Sequence, residues 1–251
     1  MIDFITGNKF KNLCHYSFDE FGFVKHIEPD GEKLKIFVKI DLVSIFFDLW
    51  NGGEFILVTH NGDTEINSNF IIYLSHPNLI EWYGQNVNIN HPKLKSIPIG
   101  IANETWEHGN EKIFLKVIEE NYEKDTMVYA NFDVNTNSTE RNKCIKGITK
   151  NGVNISDRKP FKKFLEEISK SYFVVSPNGN GIDCHKTWES IYLGSIPIVT
   201  DSINIKFYKD LPIYVINDWS DFTIGDFSES LYKKIWGNFD REKLNIRKYV
   251  N

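Results

Sequence analysis

Cysteine is scarce in this chain of 251 residues. The three present, Cys14, Cys144 and Cys184, are odd in number, and none belongs to a Cys-x-x-Cys pair. Neither a disulfide framework nor a zinc knuckle is therefore expected, and a reducing compartment fits best. Long apolar runs are missing as well. The most apolar window, IFVKIDLVSIFFDLW, carries Lys39, Asp41 and Asp48 and is too short to span a bilayer. The opening MIDFITGNKFKN lacks a basic stretch leading into an apolar run, so no signal peptide is expected and a cytoplasmic protein is the default. Charge of one sign is also lacking. Lys and Arg number 29 against 34 Asp and Glu, a net of −5 with no basic stripe, which argues against a nucleic-acid partner. Three Asn-x-Ser/Thr triplets, beginning at Asn103, Asn137 and Asn154, read as chance in an Asn-rich chain. No internal repeat, no Asp-x-Asp and no Gly-x-Gly-x-x-Gly occurs.

What is present suits a packed α/β core: 41% of residues are hydrophobic and 14% aromatic. Short apolar runs alternate with amphipathic stretches. KIFVKI (35–40), EFILVTH (54–60), LKSIPIGI (94–101), TMVYANF (126–132), SYFVVSP (171–177) and LPIYVIN (211–217) read as strands. Helices are expected in DLVSIFFDLW with Asp41 as N-cap, in HPNLIEWYGQN with Pro77 in its first turn, and in EKIFLKVIEENYE. STERNKCIKGITKNG, PFKKFLEEISKS and SESLYKKIWGNF complete the set, and DREKLNIRKYVN reads as an exposed helical end. Such alternation argues for parallel sheets covered on both faces. A polar stretch within 103–125 divides the chain into an N-terminal half, 1–105, and a C-terminal half, 106–251. Two small Rossmann-like domains are the leading architecture, and one larger α/β domain is the alternative.

The most informative stretch is SYFVVSPNGNGIDCHKTWESIYLGSIPIVTDS, residues 171 to 202. Pro177 ends a buried strand, and the turn that follows lies at the strand's carboxyl end, where open α/β sheets bind ligands. Gly179 and Gly181 let the backbone approach a ligand without a Cβ in the way. Asp183 is placed to cap the next helix and Gly194 to end it. The helix's first amides form an anion site. His185, Lys186 and Glu189 can share one face, where Lys186 would offset phosphate charge and Glu189 accept from ribose hydroxyls. The plainer reading is a solvated Lys186–Glu189 pair beside an ordinary strand–helix turn.

The run GNGIDCHKTWESIYLGSIPIV followed by LPIYVINDWSDF resembles the C-terminal half of exostosin-like glycosyltransferases, the family 47-type enzymes. VYANFDVNTNSTERN, LIEWYGQNV and IPIGIANETWEHG extend the likeness across most of residues 54 to 222. One departure is Lys186, where family members often carry Arg, so the charge is kept and the bidentate fork lost. The resemblance implies a GT-B fold, two Rossmann-like domains facing across a cleft. It implies a nucleotide sugar, usually a UDP-sugar, held mainly by the C-terminal half, and transfer with inversion and no obligatory metal or other cofactor.

Under that reading the leaving diphosphate must be met by side chains and backbone amides. Thr136, Asn137 and Ser138 offer donors, and Arg141 can fork onto phosphate oxygens; alternatively Ser138 caps a helix and Arg141 pairs with Glu140. Ser176 and Asn178 are expected to line the same pocket. The general base is sought in LVTHNGDTEI, with Asp63 first and His60 second; each has a structural alternative, an Asx turn for Asp63 and a satisfied strand-end imidazole for His60. Trp82, Gln85 and Asn86 are candidates for acceptor contact, and Trp106 and His108 for a hinge. His15, His26, His76 and His91 show no metal-ligand spacing. A protein that binds glycan or nucleotide on the same fold without catalysis is the second hypothesis, and a dinucleotide oxidoreductase, lacking its glycine signature, a distant third.

Overall fold

The computed structural model describes residues 2–29 and 31–250. They divide into two compact units, one running to Ile99 and regaining the chain from Leu244, the other spanning Gly100–Lys243. Among the described residues no helix is long and apolar enough to cross a membrane.

The first unit begins with α1 (Gly7–Asn12), whose N-terminus Thr6 caps by accepting the Lys9 amide. A hairpin of β1 (Tyr16–Asp19) and β2 (Gly22–Lys25) follows, then β3 (Lys35–Lys39), α2 (Val43–Leu49) and β4 (Phe55–His60). α3 (Ile71–Leu74), β5 (Leu79–Gly84) and β6 (Leu94–Ser96) complete a six-stranded sheet ordered β2-β1-β3-β4-β5-β6. Only the β1–β2 pair is antiparallel. Alternation along the strands sends Phe37, Ile56, Val58 and Tyr83 to one face, against Phe10 and Cys14. On the other face Phe46, Phe47, Phe55 and Trp82 form a chain of ring contacts.

Four expectations are corrected here. NLIEWYG is a strand, not a helix. Leu79, Trp82 and Tyr83 fit a helical stripe equally well, but an interior strand buries both faces, and this one is hydrogen-bonded between β4 and β6. Asp41 caps nothing: a 3₁₀ turn precedes α2, and the Asp41 carboxylate accepts the Thr64 hydroxyl at 2.7 Å. The 94–101 strand stops at Ser96, because Pro98 has no amide for the ladder and Gly100 turns to φ +67°. The chain's last stretch is not an exposed helix. It makes two 3₁₀ turns that bury Leu244, Ile246 and Val250, the latter two in the core beside Ile5 and Phe10.

The second unit takes in the stretch read as a linker. Gly109 packs so tightly on Asn103 that a Cβ would lie 2.0 Å from its carbonyl oxygen. α4 (Glu111–Glu120) buries Phe114 and Val117 and packs on α6 (Phe161–Ser169). Around them run β7 (Thr126–Ala130), α5 (Ser138–Lys150), β8 (Ser171–Val175), α7 (His185–Tyr192), β9 (Ile196–Thr200), α8 (Ile203–Lys206), β10 (Tyr214–Ile216) and α9 (Glu229–Trp236). The sheet is fully parallel in the order β10-β9-β8-β7. α5 contributes Cys144 and Ile148 to one face, with Phe173, Val175, Ile196, Ile198 and Trp219; α6 and α7 cover the other. The loops leaving β7 and β8 therefore diverge to opposite faces, and such a divergence opens a crevice at the strands' carboxyl ends. Lys124 closes the opposite end, donating to the carbonyls of Ser169 and Ser171 and to the Ser195 hydroxyl.

Candidate functional site

In the second unit the chain leaving β8 makes an irregular loop, Ser176–Cys184, before α7. The loop rests on a small polar triangle: the Ser176 hydroxyl lies 3.2 Å from the Cys184 thiol and 3.0 Å from the Thr187 hydroxyl. Ser176 is thus consumed beneath the loop rather than lining a pocket. Asp183 does not cap α7. It is buried and accepts the Trp188 indole N–H at 2.9 Å, while Cys184 occupies the cap position without a side-chain bond. Gly194 ends the helix as expected, at φ +80°.

The loop leaving β7 is fastened to this one. Asn137 caps α5, accepting the Glu140 amide, and its own amide donates to the Gly179 carbonyl at 2.8 Å. Ser138 is exposed and does not serve as cap. Arg141 is only 8% exposed. Its Nε donates to the Asn178 carbonyl at 3.0 Å and one terminal nitrogen to the Asp133 carbonyl, while the guanidinium lies over the Phe132 ring. It does not pair with Glu140, whose carboxylate instead takes the Trp219 indole N–H. A Cβ on Gly179 would lie 3.5 Å from the other terminal nitrogen, Nη2, and 3.9 Å from Thr136 Cγ2. Thr136, Asn137, Arg141, Asn178 and Gly179 thus meet in one place, and Nη2 is spare.

Lys186 and Glu189 do not form an ion pair. The Lys186 ammonium lies over the Phe164 ring, 4.5 Å from its centroid. Burial and, secondarily, the nearby Arg141 charge pull its pKa down, against Glu189 and Cys184. Burial likewise pulls Arg141 down. Glu189 is 5% exposed, and burial pushes its carboxyl up to about 7, partly opposed by Lys186. His185 Nδ1 sits 2.8 Å from the Gly100 carbonyl, which fixes the proton on that nitrogen. Gly181 is buried in the same loop. The local result is two cations that repel each other, neither in a close ion pair with a carboxylate, with Glu189 acting on Lys186 from a distance, at the carboxyl edge of a parallel sheet.

The first unit offers a second strand-end loop, 60–65, after β4. Apart from Thr64, whose hydroxyl the Asp41 carboxylate accepts, its named contacts are with neutral groups. His60 Nδ1 accepts the Asn61 amide at 2.7 Å, so the proton lies on Nε2, 3.2 Å from the Pro98 carbonyl. The ring is the satisfied strand-end imidazole of the structural alternative. Asn61 is at φ +61°. Gln85 donates to the Gly62 carbonyl at 2.6 Å and Asn86 to the Asp63 carbonyl at 3.4 Å. The Gln85 Oε1 atom is buried with no hydrogen-bond partner. Asp63 is exposed at the loop's tip. Trp82 is core, its indole N–H on the Thr59 hydroxyl at 2.8 Å.

Residues that, apart from His108, were not singled out in the sequence also gather in the second unit. Glu107, His108, Arg158, Lys159, Pro160, Phe161 and Phe164 line a pocket of about 490 Å³. The chain returning from α5 runs along β7, with the Ser156 amide on the Ala130 carbonyl, and delivers Arg158 to Phe161 to this place. No local motif marks it. Among the described residues no group of three His, Cys, Asp or Glu side chains is placed to hold a metal ion. Compared with known families and with curated proteins, the chain matches no family model and no curated sequence.

Proposed function

We propose that the chain is an inverting glycosyltransferase of the exostosin-like kind, with a GT-B arrangement, moving a sugar from a nucleotide sugar, a UDP-sugar first, to a hydroxyl of a glycan or other acceptor. The observation that carries the reading is the pair Arg141 and Lys186, two charges set beside a glycine-bearing loop, neither of them in an ion pair. Leaving such charges uncompensated in a partly buried site is costly, and a diphosphate removes the cost. Arg141 Nη2 and the amides of the first turn of α7 supply donors, and Lys186 supplies charge where the leaving group develops it. Glu189 is the acceptor suited to ribose hydroxyls.

Transfer is a single displacement. The acceptor oxygen attacks the anomeric carbon, the bond from that carbon to the β-phosphate oxygen breaks with its electron pair, and a base takes the acceptor's proton. His60 has both ring nitrogens engaged, so the role falls to Asp63, which is exposed and carried on a loop held by Gln85 and Asn86. The test is release of nucleoside diphosphate from UDP-sugars with an acceptor panel and EDTA present, with anomeric configuration read by NMR. Inverted product supports the reading; retained configuration overturns it. Binding of donor without turnover on any acceptor would favour the non-catalytic alternative.

A further inference from the structure

The pocket of about 490 Å³ is within the size range of small-molecule sites, roughly 300–1,000 Å³. Its wall is aromatic. Phe161 and Phe164 lie with ring planes 26° apart and centroids 6.4 Å apart. Phe161 is anchored edge-on by buried Phe114 at 5.6 Å. The apolar surface continues through His108, 6.4 Å from Phe161, to Trp106, which is 61% exposed. Its rim is cationic: Arg158 and Lys159 form no ion pair, and one acid, Glu107, faces them. The pocket also adjoins the proposed anion site, since Phe164, one of its lining rings, carries the Lys186 ammonium 4.5 Å from its centroid.

A flat aromatic wall with cations along it, ending at a lysine placed for phosphate, is matched by one class of ligand. We infer that this pocket receives the base of a nucleotide, stacked on Phe161 and Phe164, with the diphosphate reaching Lys186 and with Arg158 and Lys159 adding attraction at the rim. The inference rests on the proposed nucleotide-sugar reading and adds where the base lies. Stacking on an aromatic side chain contributes enough that its loss weakens binding about tenfold.

Isothermal titration of the full chain with UDP and, separately, with inorganic pyrophosphate tests it. UDP should bind at least tenfold more tightly than pyrophosphate. Phe161→Leu keeps an apolar contact for Phe114 and removes the flat face; it should weaken UDP about tenfold and leave pyrophosphate unchanged. The double variant Arg158→Ala/Lys159→Ala, which breaks no side-chain hydrogen bond or ion pair, should weaken UDP about fivefold. If UDP binds and Lys186→Ala weakens it, while neither pocket variant has any effect, the base lies elsewhere and this inference alone fails. If neither UDP nor pyrophosphate binds, the nucleotide-sugar reading fails and takes this one with it.

Discussion

The loop leaving β4 and the loop leaving β8 hold the same station, the carboxyl end of an interior parallel strand, yet they are made of different chemistry. Around the first, hydrogen bonds hold the loop: an imidazole between a backbone amide and a carbonyl, two side-chain amides on loop carbonyls, and the Thr64 hydroxyl on the Asp41 carboxylate. Around the second, a guanidinium and an ammonium stand without an ion pair. Hydrogen bonds fix a loop's position at little electrostatic cost, whereas charge without an ion pair is tolerated where a ligand supplies its complement. The contrast divides the labour. On the proposed reading the first loop orients an exposed carboxylate, and the second meets an anion.

The sharpest way to break that division is Asp63→Asn. Loss of the base should lower turnover by about 10²–10⁴-fold with UDP affinity unchanged, measured by steady-state kinetics beside calorimetry. Unaltered turnover would remove the first loop from the chemistry.

Next comes the pH dependence of the second loop. The folded pKa of Glu189, about 7, lies above its ordinary 4.5. Below 4.5 the carboxyl is protonated folded and unfolded, and its burial carries no ionisation cost. As pH rises from there through about 7 the unfolded state releases its proton first, so stability falls, by about 3 kcal/mol at most. Chemical denaturation across pH 4–8 should show this decline in the wild type and its loss in Glu189→Gln. A smaller effect is expected from Gly7→Ala in the first unit. The new Cβ would meet Asn61 Oδ1 at 1.8 Å and His60 Nδ1 at 2.4 Å, costing about 2 kcal/mol by overpacking and displacing the loop that carries Asp63. A wild-type melting temperature in that variant would show that the loop is looser than its contacts suggest.

The two loops also differ in how plainly the sequence announced them. The β8 loop was legible because a buried apolar run, a proline, two glycines and a helix with charged residues at helical spacing fall within one short stretch. Even so, Asp183 was misread: an aspartate just before a helix looks like a cap, and only the fold shows Trp188 reaching back for its carboxylate. The strand NLIEWYG was misread because buried interior strands lack the period-two alternation that distinguishes a strand from a helix. The β1–β2 hairpin was not recognised, since exposed Phe21, Phe23 and Val24 blur the contrast between its faces. The pocket at Arg158–Phe161 was invisible for another reason: it is made by a crossing of chain segments distant in sequence, and no spacing rule reaches it.

The claim on which the account depends is that side chains of the second unit, not a cation, neutralise a bound diphosphate. The direct measurement is the Kd of UDP in EDTA for the wild type, Lys186→Ala and Lys186→Arg. The account predicts binding without divalent metal, a loss of about 2 kcal/mol, roughly thirtyfold, in Lys186→Ala, and near-complete retention in Lys186→Arg. Equal affinity in all three, or binding that appears only when magnesium or manganese is restored, would contradict it.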